Sequence, residues 1–441
     1  MPRSYRIETF GCQMNKSDSE LMELSLEAEG FVKTDDLYSA DVVIYNTCSV
    51  RKRAEDHATA KIRETRAHQK KGSVLVLAGC MAQRTGEDFV KRRWADLVVG
   101  PYQSPKVGSI VAELLKTKSA PRVFVSQDSL DFAPRLDDQL GTRIEETPHH
   151  RWVTITHGCE NFCTYCIVPY VRGKLISFPS QSILTHIDSL VRQGTTEITL
   201  LGQNVNQYGQ DNGDMPFWKL LEAAAARPGI IRVNFLTSHP KDFCEDTVKV
   251  IRDNANVSRG IHLPLQSGSD RILAAMNRKY TWAHYLGLIE SIEKHLGSEA
   301  GITTDLIVGF PGETEAEFQA TIDAVKRVRY SDAFTYAYSP REGTAAAHME
   351  DSIAHDEKIR RLNELITVER EIIGERRVER LGRIEKVIGE SLNDKNTAEL
   401  IGKNELGQSV IFAGTQNDLG KILSVKMMRV QGSTLIGDVV S

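Results

Sequence analysis

Short apolar runs alternate with longer amphipathic stretches over the first 125 residues of the chain. Runs at 5–10, 41–46 and 74–78 are β-branched and aromatic, and each leads into a helical pattern. That alternation predicts a parallel sheet with crossover helices. From 126 to 150 the pattern breaks down into six acidic residues, two arginines and two prolines, which reads as a linker. Six apolar strand candidates follow, at 152–156, 197–201, 232–236, 260–263, 304–308 and 333–338, separated by helical patterns. Six βα units predict a partial, open (βα)6 barrel over 151–375, in which chemistry sits on the loops after the strands. A charged helical stretch at about 353–381 closes it. Residues 376–441 switch to short alternating runs punctuated by glycine, the pattern of a small β-barrel. The expected fold class is therefore α/β, with domains at 1–125, 151–375 and 376–441.

Composition narrows the setting. At 441 residues, with 41% hydrophobic and 26% charged positions, the chain suits two or three globular cores and neither disorder nor a coiled coil. No window approaches the roughly 18–20 apolar residues of a membrane helix, and Met1-Pro2-Arg3-Ser4-Tyr5 leads into no signal-peptide core. A cytoplasmic protein is expected. The net charge of -4 supplies no global attraction to nucleic acid. The last segment is locally basic, with ten Lys or Arg against eight acids from 376 onward, which by itself is a weak RNA-binding signal.

Seven cysteines, at 12, 48, 80, 159, 163, 166 and 244, carry the candidate chemistry. An odd count in a chain of this kind disfavours a disulfide framework. Cys244, in Lys241-Asp242-Phe243-Cys244, reads as core packing. Gly11-Cys12, Thr47-Cys48 and Gly79-Cys80 each end one of the first three strands. Loops after parallel strands emerge on one edge of the sheet, where open α/β folds place ligands, so these three thiols can meet in space. Cys159, Cys163 and Cys166 form a CxxxCxxC run directly after the first barrel strand. Three thiolates on a four-iron cubane leave one iron open to a small molecule. Zinc held by the same three cysteines with His157 is the alternative, since Cys3His is a legitimate tetrahedral site.

The CxxxCxxC spacing with Tyr165 before the third cysteine resembles the radical S-adenosylmethionine (SAM) enzymes. Gly11-Cys12-Gln13-Met14-Asn15, Asn46-Thr47-Cys48-Ser49-Val50-Arg51 and Gly79-Cys80-Met81-Ala82-Gln83-Arg84 resemble the amino-terminal domain of the methylthiotransferases. Leu200-Leu201-Gly202-Gln203-Asn204-Val205-Asn206, Thr237-Ser238-His239-Pro240, Leu263-Pro264-Leu265-Gln266-Ser267-Gly268 and the Asp305-to-Thr314 run continue the likeness in order. The final segment is similar to a TRAM domain. Within the family, Gln13-Met14-Asn15 with Asp18-Ser19-Glu20 resembles the MiaB-type branch, which acts on dimethylallyladenosine in tRNA. One stretch departs: in Arg172-Gly173-Lys174-Leu175-Ile176-Ser177-Phe178, Leu175 stands for the usual glutamate and Phe178 for the usual arginine.

The resemblance implies a tRNA methylthiotransferase that modifies C2 of N6-isopentenyladenosine at position 37. One SAM would donate a methyl group and another would be the source of a 5'-deoxyadenosyl radical. It implies two [4Fe-4S] clusters, one on Cys159, Cys163 and Cys166, and an auxiliary one on Cys12, Cys48 and Cys80 presenting sulfur. Tyr165, Gln203, Ser238, Gln266 and Asp305 would line the SAM pocket. The tRNA anticodon arm, an electron donor such as flavodoxin or ferredoxin, no membrane and a monomer complete the implied setting, and the sheet edge would face the barrel mouth. Two other classes remain open: a noncatalytic iron–sulfur or zinc RNA-binding protein, and an enzyme acting on a protein or a different adenosine.

Overall fold

The computed structural model describes residues 2–49, 52–117, 122–125 and 149–440. The segment 126–148, most of the expected linker, lies outside them, as do Val50 and Arg51. The described chain forms two compact units. One holds 2–125, Thr156–Glu160 and Cys166–Phe178; the other holds 149–155, Asn161–Tyr165 and 179–440.

The first unit is built on six parallel strands, β1 (Ser4–Thr9), β2 (Val32–Lys33), β3 (Val42–Thr47), β4 (Val74–Gly79), β5 (Leu97–Val99) and β6 (Val123–Phe124), in the order β2-β1-β3-β4-β5-β6. Helices α1 (Gln13–Ala28), α2 (Lys52–His68), α3 (Cys80–Lys91) and α4 (Val107–Lys116) cross over between them. β3 and β4 are apolar along both faces because helices cover both. Val42, Ile44, Val74 and Val76 pack with Met22 and Leu26 of α1 and Val107 and Val111 of α4. Val43, Tyr45, Leu75 and Leu77 pack with Ile62 of α2 and Met81 and Phe89 of α3. The three strands read from the sequence are all present. β2, β5 and β6, of two or three residues, carry too short a pattern to be read and owe their assignment to pairing with longer neighbours.

In the second unit six strands lie in two parallel three-stranded sheets. One has the order Arg232–Phe235, Glu197–Leu201, His150–Thr154; the other has Gly260–His262, Gly301–Val308, Asp332–Ala337. These are the six strands the sequence predicts, and the helix His355–Val378 is its closing charged stretch. The last five strands close a barrel, Ile384–Asn393, Asn396–Asn404, Ser409–Ala413, Thr434–Val439 and Ile422–Gln431. Val387, Leu400, Val410, Phe412, Val425, Met427 and Leu435 fill it. Arg232 donates to Lys403 O (2.9 Å), and a Cβ at Gly301 would fall 2.4 Å from Leu406 O. The barrel is thus packed against the parallel strands.

Cys244 corrects its sequence reading. It is exposed at the start of helix Glu245–Asp253, its Sγ 3.5 Å from Thr247 Oγ1, while its neighbour Phe243 is the buried one. A single cysteine beside an apolar residue says nothing about which of the two faces inward.

Leu77 is fully buried in a central strand. Leu77→Ala is expected to destabilise the first unit by roughly 2–5 kcal/mol, read as a lower urea midpoint for that unit.

Candidate functional site

The strand order reverses direction at β1 and β3, the switch point at which open parallel sheets leave a crevice beyond the strand ends. Cys12 follows β1, Cys48 follows β3, and Cys80 opens α3 after the adjacent β4. Side-chain amides fasten these loops together. Asn46 Nδ2 donates to Asn15 O (2.7 Å) and to Ser19 Oγ (2.9 Å), and Asn15 Nδ2 donates to Asn46 Oδ1 (3.2 Å). Two glycines permit the close approach. A Cβ on Gly11 (φ 127°) would meet Cys48 Cβ at 2.5 Å, and one on Gly79 (φ 83°) would meet Asn46 Oδ1 at 2.4 Å. The buried stripe of α1 is polar at Asn15, Asp18 and Ser19 and apolar at Met22 and Leu26. Its first turns serve the thiol loops and its last turns serve the core.

The three thiols differ electrostatically. The Cys12 thiol is lowered to about 6, chiefly by its hydrogen bond with Cys48, with burial opposing and Arg172 assisting. Its Sγ also donates to Asn15 Oδ1 (3.2 Å). Burial pushes the Cys80 thiol up, and Arg172 pulls it partly back. Arg172 itself is 2% exposed; its Nη2 donates to the buried Asp18 Oδ2 at 2.5 Å, and its Nη1 has no hydrogen-bond partner. Tyr102 Oη donates to Arg172 O (2.9 Å). Sequence reasoning assigned Arg172 no role, because its stretch departs from the family pattern at Leu175 and Phe178; its partner Asp18 lies 154 positions away. The only signal available was an arginine shortly after the CxxxCxxC run. Leu175 and Phe178, the departures from the family pattern, are both buried; they are packing residues here.

Of the second trio, Cys159 and Cys166 lie in the first unit and Cys163 in the second. Cys159 N donates to Gly173 O (3.1 Å), and Ile167, the residue after Cys166, packs with Val171 against Cys80. His157 is fully buried, its ring edge-on to Tyr102 at 5.0 Å. In the second unit, Thr164 N donates to Met276 O (3.0 Å) and Thr164 O accepts from Ala346 N (2.8 Å). Cys163 Sγ accepts from Arg278 Nη1 (3.3 Å); that guanidinium is buried and also donates to Tyr280 Oη (3.1 Å) and Pro264 O (3.1 Å). A buried guanidinium thus accompanies a cysteine of each trio.

Among the described residues no three His, Cys, Asp or Glu side chains are gathered tightly enough to hold one metal ion. A four-iron cluster binds each thiolate through a different iron and asks for no such gathering.

The residues expected around SAM all fall in the second unit. Gln203, Ser238 and Gln266 follow three different parallel strands, and Gln203 Oε1, Ser238 Oγ and Gln266 Oε1 are buried without partners. Buried polar atoms ordinarily find partners, so this is a donor and acceptor surplus suited to a polar ligand. Gln266 adopts φ 73°, and its backbone pairs with Asp305 O and Ile307 N. Asp305 differs: its carboxylate is engaged with His262 Nε2 at 3.3 Å. Tyr165 packs beside Phe310 and Tyr338, its hydroxyl 3.4 Å from Arg278 Nη1.

Residues 4–100 match the family described as "Uncharacterized protein family UPF0004", and residues 153–325 match the radical SAM superfamily. A curated protein from Dictyoglomus thermophilum, named tRNA-2-methylthio-N(6)-dimethylallyladenosine synthase, is 40% identical over 100% of this chain and 99% of its own length. One of the same name from a Sulfurihydrogenibium species is 38% identical over 99% of each chain. Among solved structures, the radical S-adenosylmethionine methyltransferase TsrM from Kitasatospora setae, with cobalamin and a [4Fe-4S] cluster bound, superposes with a TM-score of 0.59. It is 16% identical and covers 79% of this chain and 77% of its own, a likeness of fold.

In the metal-free chain, the alkylation rate of Cys12 by iodoacetamide is expected to reach half its plateau near pH 6, where half of its thiol is ionised. That of Cys80 should keep climbing past pH 9. Mass spectrometry of labelled peptides across that range measures both.

Proposed function

Because this chain belongs to the family of tRNA-2-methylthio-N(6)-dimethylallyladenosine synthases of the radical SAM superfamily, we infer that it is an enzyme that places a methylthio group on C2 of N6-isopentenyladenosine in tRNA, at position 37. The supporting observation is the delivery of Cys12, Cys48 and Cys80 to one crevice by three adjacent strands, alongside an independent CxxxCxxC run. Radical SAM chemistry uses an iron–sulfur cluster and SAM; we assign that cluster to Cys159, Cys163 and Cys166 and a second [4Fe-4S] cluster to Cys12, Cys48 and Cys80.

The substrate C–H bond is aromatic and unactivated, far beyond any side-chain base working near neutral pH. When bound, the clusters and SAM supply the electron, the 5'-deoxyadenosyl radical, the methyl group and the sulfur. The chain's own work is to hold and exclude. Each trio would hold its cluster through three thiolates, which would leave one iron for a nonprotein ligand. Gln203, Ser238 and Gln266 offer their unpartnered polar atoms to SAM, and Tyr165 offers a flat apolar face. Asp305 acts beside His262. Their burial keeps water from a reactive carbon radical.

RNA recognition falls to residues 376–441, with 1–125 carrying the auxiliary cluster and 151–375 the radical chemistry. The apparent basic excess of the last segment is smaller at its surface than in its sequence. Arg377 and Arg380 are buried, and Arg380 and Arg383 pair with Glu299. Exposed on strand Ile422–Gln431 are Ile422, Ser424, Lys426, Met428, Arg429 and Gln431. That mixture of cation and apolar side chain suits the splayed bases of an anticodon arm more than a duplex backbone. Among the described residues no helix is long and apolar enough to cross a membrane. A monomer in the cytoplasm, reduced by a flavodoxin or ferredoxin, completes the reading.

The full chain carrying Cys12→Ala, Cys48→Ala and Cys80→Ala is expected to keep forming 5'-deoxyadenosine from SAM on reduction but to make no methylthiolated nucleoside. Nucleoside mass spectrometry of isopentenylated tRNA after reaction decides it. Methylthio product from this variant, or wild-type protein that reconstitutes with zinc and no iron, would refute the assignment.

A further inference from the structure

Arg172 is a charged side chain committed to the interior of the first unit with only part of its hydrogen-bonding capacity used. One terminal nitrogen is bound by Asp18; the other, Nη1, is buried and has no partner. A buried guanidinium left this way is costly unless a further anion completes it. The charged groups acting on it are Asp18, Cys80 and Cys12. Its backbone carbonyl accepts from the Tyr102 hydroxyl, which also sits where a Cβ on Gly173 would be. It closes the short helix Val168–Arg172, whose Val171 packs on Cys80 together with Ile167. Three thiolates around a cubane make the group that would complete this cation.

We propose that Arg172, held by Asp18, is a positioning residue for the auxiliary cluster: a fixed cation that donates through Nη1 to the cluster's anionic sulfur and sets how easily that cluster is reduced. The proposal rests on the assignment of a second cluster to Cys12, Cys48 and Cys80. Potentials of such clusters respond to nearby charge and to hydrogen bonds on sulfur. Reduction adds a negative charge, so a neighbouring cation favours the reduced form and a neighbouring carboxylate disfavours it. Arg172 and Asp18 therefore act with opposite sign, which a purely structural ion pair would not do.

The test uses the full-length chain with Cys159→Ala, Cys163→Ala and Cys166→Ala, so that only the auxiliary cluster is reconstituted and read by electron paramagnetic resonance during a redox titration. Arg172→Met is expected to lower the midpoint potential, Arg172→Lys to lower it less, and Asp18→Asn to raise it. Shifts of the same sign for Arg172→Met and Asp18→Asn, no shift in either, or loss of iron from Arg172→Lys equal to that from Arg172→Met would each overturn the proposal. If the background protein with wild-type Arg172 and Asp18 binds no iron at all, the second cluster itself is refuted, and with it this role. A cluster that is present but indifferent to Arg172 leaves the functional assignment standing and removes only the cation.

Discussion

A parallel sheet sends all its strand ends to one edge, and everything specific to the first unit follows from that constraint. β1, β3 and β4 are adjacent, so residues 36 and 32 positions apart in sequence are brought within one crevice. The edge alone would leave three loose loops. Asn15 and Asn46 tie them with reciprocal amide bonds, and glycine at positions 11 and 79 removes the side-chain volume that would hold the loops apart. The family run Gln13-Met14-Asn15 thus has a mechanical content: Asn15 is the fastener between the first thiol loop and the second.

Each unit sets a buried arginine beside a cysteine of its own. In the second unit Arg278 donates to Cys163 while braced by Tyr280 and Pro264. In the first, Arg172 stands near Cys80 and Cys12, braced by Asp18. The bracing differs in kind. Arg278 rests on neutral oxygens and keeps its full charge, whereas Arg172 shares its charge with a carboxylate. Two trios of cysteines are thereby given different electrostatic surroundings.

The same accounting bears on the last segment, from 376 onward. Arginines that look like a basic patch in the sequence are spent fastening the closing helix and the small barrel to the parallel strands: Arg376 donates to Ala300 O, and Arg377 to Ser331 O and Ser433 O. Net charge counted along a segment overstates what a ligand can reach whenever some of the cations are structural.

Periodicity, turn residues and cysteine spacing by themselves determined nine of the parallel strands, the two trios of thiols and the order of the three segments. Each of these depends on local composition repeated at a fixed interval, which the chain carries wherever it is folded. Tertiary structure decided the rest. The short strands β2, β5 and β6 exist through their neighbours, Cys244 faces outward although its surroundings read as core, and Arg172 found Asp18 across 154 residues. A long-range ion pair leaves no periodic trace, because its energy depends on distance and burial in the folded chain and on nothing that adjacent residues record.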